Sequence, residues 1–525
     1  MYNFVPSHPG LKAALLGAAT LAISPAIAQQ SEQTSAEAAD AEEASWVAEF
    51  EAGLRPALKQ LGEPAIRWTL EERMAHYGVP GVSIAVLSDG EIVWARGYGE
   101  AKAGTGIPID TDTVFSVGSL SKTGTALTAL RLVNSGELDL DADVNTVLTS
   151  WQAPRSETEG EKPITLRMLL SHTAGLNVHG FADFAPSEDL PTTVQILNGE
   201  SPAKSSKLKL IHEPGETYDY SGGGTTVAGL VIADKTGMSF PEAAKALVFD
   251  PLDLSRTTFE VPLPEGTTNI AYAHNRKGEL AAKPRGYHSF PETAASGLWS
   301  TPSEFGTMLN ALYKAYRGDI ENFLTNEIAV DTLKPVQPSV HGLGPRILGT
   351  KENIRMEHSG ANNSYKALYD VSLKTGNGAV LFTNGARGTA LNAEIMRALS
   401  DALDWNHMPE LVEIDASTED FTPLEGRYRL QREKDALGHL PDADLPNRVD
   451  LKSGEDGLSM VIPGRFGFGR QTVAMNALAE NVFISDSGRN RLEIVETESG
   501  EVLEIHLLSQ EDYKVRRRIN VYTKS

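Results

Sequence analysis

Residues 115–122 read Phe-Ser-Val-Gly-Ser-Leu-Ser-Lys, and an Ala- and Leu-rich stretch follows them. Ser119 and Lys122 form a Ser-x-x-Lys. Leu120, Leu127 and Leu130 recur at helical spacing and Gly136 supplies a stop, so a helix is predicted over 119–133. At a helix start, a spacing of three puts both side chains on one face, about one turn apart. A Lys kept from water there favours its neutral amine and can take the Ser proton. The pattern alone is weak. Ser201–Lys204 and Ser206–Lys209 repeat it in a polar loop that leads into no apolar helix. Context separates the first.

Outward from this point, Gly81–Leu87 (GVSIAVL) and Glu91–Arg96 (EIVWAR), joined by Ser88-Asp89-Gly90, read as a hairpin of β-branched and aromatic strands. Thr301-Pro302-Ser303-Glu304 offers a helix N-cap, a Pro at the first helical position and a Glu three residues on. Mixed helix and strand signals continue to about residue 405. After Pro409 short alternating segments dominate, such as Leu458–Ile462 and Asn481–Ile484, and predict a separate all-β domain over 411–525. Its one basic cluster, Lys514–Arg518, reads as a solvated strand face. At the other end, Lys12, the apolar run Ala13–Ile23 and Pro25-Ala26-Ile27-Ala28 match an export signal over 1–28. Residues 29–48 are acidic and Ala/Ser-rich, a flexible linker before a folded domain over 49–408.

Composition narrows the function. With 41% hydrophobic and 22% charged residues the 525-residue chain can bury a core. Its 47 Lys+Arg against 70 Asp+Glu leave a net charge of −23, which repels nucleic-acid phosphates and anionic membranes. The chain has no Cys, which removes disulfides, thiolate metal sites and Cys nucleophiles. Asp139–Asp143 starts like a calcium loop, but Val144 stands where its Gly belongs. Neither a His-Glu-x-x-His nor a Gly-x-Ser-x-Gly is present. The expectation is an exported, periplasmic or secreted protein. It needs no metal or cofactor and has no nucleic-acid partner and no membrane anchor.

The motifs in order resemble the serine β-lactamase and penicillin-binding superfamily, in its class C-like branch. Phe115–Lys122 is similar to the first motif, and Leu169-Leu170-Ser171-His172-Thr173-Ala174-Gly175-Leu176 to a hallmark stretch. Pro214-Gly215 with Tyr220-Ser221-Gly222 is similar to the second motif, Gly297-Leu298-Trp299-Ser300-Thr301 to a further stretch, and His358-Ser359-Gly360 to the third motif. The resemblance implies an α/β (α+β) fold: an antiparallel sheet flanked by helices, an all-helical subdomain, and Ser119 at their junction. The tail resembles the lipocalin-like β-barrel appended to some of these hydrolases.

The same resemblance implies Ser119 as nucleophile, Lys122 as its base and Tyr220 as proton relay, with Tyr218 a nearby decoy. The backbone N–H groups of Ser119 and Ala361, after Gly360, would form the oxyanion hole. Gly222 stands where the family carries Asn, and His358 where it often carries Lys; both would line the substrate site. His172 belongs to a mostly structural stretch. Trp299 and Tyr365 would shape the acyl pocket or be plain core. The expected activity is acyl-enzyme hydrolysis of small carboxylic esters or amides. The rivals are a D-amino-acid peptidase, DD-carboxypeptidase or weak β-lactamase, and, in another class, a non-catalytic module binding cell-wall fragments. Were His358 a titrating cation for a carboxylate, turnover of acidic substrates would fall past about pH 6.5.

Overall fold

The structure is a computed structural model and describes residues 43–156, 162–283, 285–319, 323–349, 353–416, 419–430, 448–454, 457–462, 471–479, 481–485, 490–496, 502–509 and 520–524. The export signal, most of the acidic segment and the basic cluster Lys514–Arg518 lie outside the described residues. One boundary is corrected: residues 43–52 are helical, so the linker read to 48 ends earlier. Phe50 on that helix, within the folded domain as read, is buried edge-on to Trp94 and Tyr98, with ring centroids 6.4 Å apart in each pair.

The strands before the tail are β1 (Leu58–Lys59), β2 (Gly81–Ser88), β3 (Glu91–Lys102), β4 (Ile107–Pro108), β5 (Phe115–Ser116), β6 (Trp299–Ser300), β7 (Arg346–Leu348), β8 (Arg355–Ala361), β9 (Lys366–Ser372), β10 (Gly378–Thr383) and β11 (Leu411–Val412). Seven form an antiparallel sheet in the order β4-β3-β2-β10-β9-β8-β7. Strands β2 and β10 lie at its centre, buried on both faces, which is why they read as nearly unbroken apolar runs. The β2–β3 turn places Asp89 (φ 50°) and Gly90 (φ 79°) in the left-handed region, the geometry that suits a tight hairpin.

The helix Pro302–Arg317 packs on β2, β3 and β10. Thr301 caps it, its Oγ1 accepting from Glu304 N–H at 3.1 Å. The Glu304 carboxylate does not turn back to the cap; it accepts from Arg256 N–H at 2.8 Å and from the Thr257 hydroxyl at 2.6 Å. A local signature has been put to tertiary use.

Beside the sheet lie the helices Ser121–Asn134, Leu166–Ser171, Gly222–Thr236 and Phe240–Ala244. The first is buried on every side from Ser121 to Leu130 rather than along one apolar stripe. Its buried hydroxyls are therefore all spoken for: Thr123 bonds Tyr369 Oη at 2.9 Å, Thr125 donates to Ala294 O at 2.7 Å, and Thr128 to Gly124 O at 2.8 Å. This helix is the axle between sheet and helical region, and Ser119 sits at its head.

In the tail, eight strands from Gly426–Leu430 to Asn520–Lys524 close into an up-and-down barrel, the first pairing the last through Tyr428 and Lys524. Tyr428, Met460, Phe483, Leu492 and Ile505 fill its interior. The barrel starts at Gly426 rather than 411. The strand before it, β11, pairs in parallel with β1, stitching the connection back onto the first domain.

Candidate active site

Ser119 is presented by a tight 3₁₀ turn, Gly118–Leu120, between β5 and the buried helix. Strand β5 is held by β6, and Val117 N–H donates to Leu298 O at 3.1 Å. Gly118 has φ +53°, and a side chain there would begin 3.0 Å from Ala361 N. Gly360 is tighter still: a Cβ would stand 2.0 Å from Val117 O. These two glycines let the end of β8 press against the turn, so the backbones of Ser119 and Ala361 become neighbours. Asn362 Nδ2 donates to Ser116 Oγ at 3.1 Å and locks the approach. Ser121 braces the other side, donating to Gly118 O at 2.6 Å and accepting from Leu298 N–H at 3.0 Å.

One turn along, Lys122 is only 3% exposed. Its Nζ donates to Ser119 Oγ at 3.2 Å and to Ala295 O at 2.9 Å, and lies 5.0 Å from the centroid of the Tyr220 ring. The sequence pair is thus a contact, and Tyr220 rather than Tyr218 lies against it. The Tyr218 hydroxyl donates instead to His341 Nε2 at 3.4 Å.

Around Tyr220 stand four imidazoles, at ring separations of 4.3 Å (His172), 4.9 Å (His179), 5.9 Å (His341) and 6.2 Å (His358). His172 Nδ1 accepts from Ser221 N–H at 3.2 Å, fixing the residue that follows Tyr220. His341 was not singled out by any sequence signal; its Nδ1 donates to Gly344 O at 2.9 Å. Burial holds its pKa down at about 3, with Arg346 and Lys122 adding to the effect. Burial likewise keeps His172 and His358 well below the usual imidazole range. Among the described residues no group of three or more His, Asp or Glu is arranged to hold a metal ion.

His358 is fully buried, and its Nδ1 donates to Ser359 O at 2.8 Å. Its Nε2 therefore carries a lone pair, and no hydrogen-bond partner among the described residues meets it. The condition of a ring titrating as a cation near pH 6.5 is thus not met. Desolvation, helped by Arg346 and Lys122, keeps the ring neutral far below that pH.

Gly222 opens the helix Gly222–Thr236 and is covered: a Cβ there would lie 2.7 Å from Phe181 Cε2. Trp299 and Tyr365 are buried, 5.6 Å apart by ring centroids, with Tyr365 Oη donating to Ala271 O at 2.6 Å. Both are core, and the Tyr365 hydroxyl is satisfied there. A buried carboxyl went unread in the sequence. Glu292, just before the short helix whose Ala295 carbonyl holds Lys122, has its pKa pushed up to about 8 by desolvation.

Residues 66–403 match the Beta-lactamase family model. The chain belongs to that family. It is a serine hydrolase of the β-lactamase-related class. Penicillin-binding protein 4 of Amycolatopsis lactamdurans is 26% identical over 386 residues, 68% of this chain and 94% of that protein. Esterase EstB of Burkholderia gladioli is 30% identical over 239 residues, 39% of this chain and 60% of that one. Among solved structures, the octameric penicillin-binding protein homologue from Pyrococcus abyssi aligns with a TM-score of 0.55 at 21% identity, covering 86% of this chain and 98% of its own. D-amino acid amidase from Ochrobactrum anthropi SV3 gives 0.51 at 20%, covering 64% and 98%. At such identities the structural likeness speaks for the fold.

Proposed function

We propose that this family member hydrolyses small, neutral carboxylic esters through an acyl-enzyme on Ser119. Ser119 Oγ adds to the ester carbonyl while its proton passes to Lys122 Nζ. The tetrahedral oxyanion is held by the backbone N–H groups of Ser119 and Ala361. Tyr220 relays the proton to the departing alcohol, leaving Ser119 acylated. Water then attacks the acyl carbon, gives up a proton along the same relay, and releases the acid and free Ser119. Lys122 Nζ donating to Ser119 Oγ at 3.2 Å is the observation that carries this reading.

The choice of neutral esters over D-peptides and penicillins is supported by His358, whose buried, uncharged ring offers a substrate carboxylate no fixed cation. The relative named as an esterase fits the same choice. Ser119, Lys122 and Tyr220 together speak against a site that only binds. Export is part of the proposal and rests on residues 1–28. So is a lipocalin-like character for the tail, supported by its eight-stranded up-and-down closure.

Intact mass spectrometry of the mature protein, mixed separately with an activated short ester and a penicillin, tests the reading. A transient acyl adduct on Ser119 from the ester, and none from the penicillin, is expected. A long-lived penicilloyl adduct in place of ester turnover would overturn it.

A further inference from the structure

We infer that Phe181 is a specificity-determining residue, the apolar wall against which the acyl group of the substrate lies. The substrate class is then esters of unsubstituted aliphatic or aryl acids, not of acylamino acids. This rests on the ester-hydrolase reading and sharpens it.

The segment 177–184 is seated on the head of the Gly222–Thr236 helix. Ser221 Oγ donates to Asn177 O at 2.6 Å, Gly223 N–H to Val178 O at 3.0 Å, and Gly222 N–H to His179 O at 3.2 Å. Three successive carbonyls thereby satisfy groups at a helix start that would otherwise lack partners. The seating is close enough to exclude side chains. A Cβ at 223 would meet Leu208 Cδ1 at 2.4 Å and Val178 Cβ at 3.1 Å, and one at 222 would meet the Phe181 ring at 2.7 Å and His179 O at 3.1 Å. Val178 takes φ +62° to follow this path, a costly conformation for a β-branched residue.

The far end is fastened to the opposite wall. Asp183 Oδ2 accepts from Asn363 Nδ2 at 2.8 Å, in the turn after Ala361, and from His288 Nδ1 at 2.6 Å. Phe184 and Ser289 exchange two backbone hydrogen bonds of 2.9 Å. Between these anchors the strap crosses from the second motif to the end of β8, with the His179 ring 4.9 Å from Tyr220 and Phe181 half-buried over Gly222. Phe181 therefore fills the space into which a polar side chain at 222 would project, two residues from the tyrosine that covers Lys122. An alkyl or aryl acyl group finds hydrocarbon there. An acylamino group would strip its amide of water and gain no partner.

The test compares full-length mature protein, Phe181→Ala, Phe181→Leu, and Phe181→Ala combined with Gly222→Asn. Their kcat/KM values are measured on p-nitrophenyl butyrate and on the p-nitrophenyl ester of N-acetylglycine, with thermal melts establishing folding. Wild type should favour butyrate. Phe181→Ala should shift the ratio toward the acylamino ester by about tenfold, Phe181→Leu should keep the wild-type order, and the added Asn should move the ratio further. Folded Phe181→Ala with a ratio within about twofold of wild type would overturn the wall assignment while leaving the esterase reading intact. Wild type that turns over neither ester would defeat the parent reading and the substrate class with it.

Discussion

Ser119, Lys122 and Tyr220 make separable demands on the chemistry. Without the Ser119 hydroxyl no acyl bond can form, so Ser119→Ala should abolish both turnover of p-nitrophenyl acetate and the acyl adduct seen by mass. Tyr220→Phe keeps the ring over Lys122 but removes the relay oxygen, and kcat should fall by about 10²–10⁴. Residual activity in Ser119→Ala, or an unchanged kcat in Tyr220→Phe, would reassign these roles. His358 yields a pH prediction. Its buried ring, with Arg346 and Lys122 nearby, stays neutral as pH rises through 6.5, so kcat/KM on a neutral ester should show no inflection there that belongs to this residue. An inflection near 6.5 that disappears in His358→Gln would contradict it. The sequence placed a His at this position, mostly neutral at pH 7 by its ordinary pKa, but could not show how far below that range it is held. Burial decides that, against the Ser359 hydrogen bond, which by itself favours the charged ring.

At the scale of elements, the site exists because β8 closes onto the turn carrying Ser119. Gly360 permits that closure, since a methyl group there would meet Val117 O at 2.0 Å. Gly360→Ala should push β8 away from Ser119 and cost about 1–3 kcal/mol in stability through overpacking. The loss of kcat should exceed what partial unfolding explains. Thermal melts and kcat measured together decide it; wild-type turnover in a stably folded variant would mean that β8 need not press so closely. A second element is tied by a buried ion pair. Arg73 donates to the Glu394 carboxylate at 2.6 and 2.7 Å, joining the helices Leu70–Tyr77 and Gly388–Ala402. Glu394→Ala strands the guanidinium and should destabilise by about 3–5 kcal/mol, read from denaturant midpoints. An effect below about 1 kcal/mol would show that solvent reaches the pair. The hairpin, the helix starts and the all-β tail were legible because they follow local patterning. The 3₁₀ turn and the strap were not, because contacts far along the chain impose them.

For the whole molecule, buried titratable groups set stability against pH. His172, His341 and His358 are neutral in the fold and charge on unfolding once pH drops below 6.5. For His341 this runs from 6.5 down to about 3. Over that range the unfolded chain binds more protons than the folded one at His341, so stability rises with pH, and His172 and His358 act in the same direction. Glu292 acts in reverse. It keeps its proton in the fold up to about 8, whereas the unfolded carboxyl loses it near 4.5, so its contribution falls as pH climbs between the two. Stability should therefore peak near pH 6.5, and Glu292→Gln should flatten the alkaline decline. Denaturation midpoints at pH 5, 6.5 and 8 check this; an identical decline in Glu292→Gln would remove Glu292 from the account. The net charge of −23 works against the acid-side loss by easing repulsion as pH falls. Surface charges are screened within about 10 Å at 0.1 M salt, so the buried histidines should dominate.

The linear chain by itself determined the order and type of the main elements and the helical spacing of Ser119 and Lys122, while the roles proposed for Ser119, Lys122 and Tyr220 rest on the resemblance of its motifs. Elements and spacing are carried by periodicity within short stretches, and Lys122 reaches Ser119 across a single helical turn. Only the tertiary structure decided that His358 is buried with its Nδ1 bonded to Ser359 O, that His341 and Glu292 are buried close by, and that Phe181 stands over Gly222. The reason is physical. Burial and close approach depend on segments more than a hundred residues apart, as when Val117 meets Gly360, and no local pattern records what a distant strand will cover.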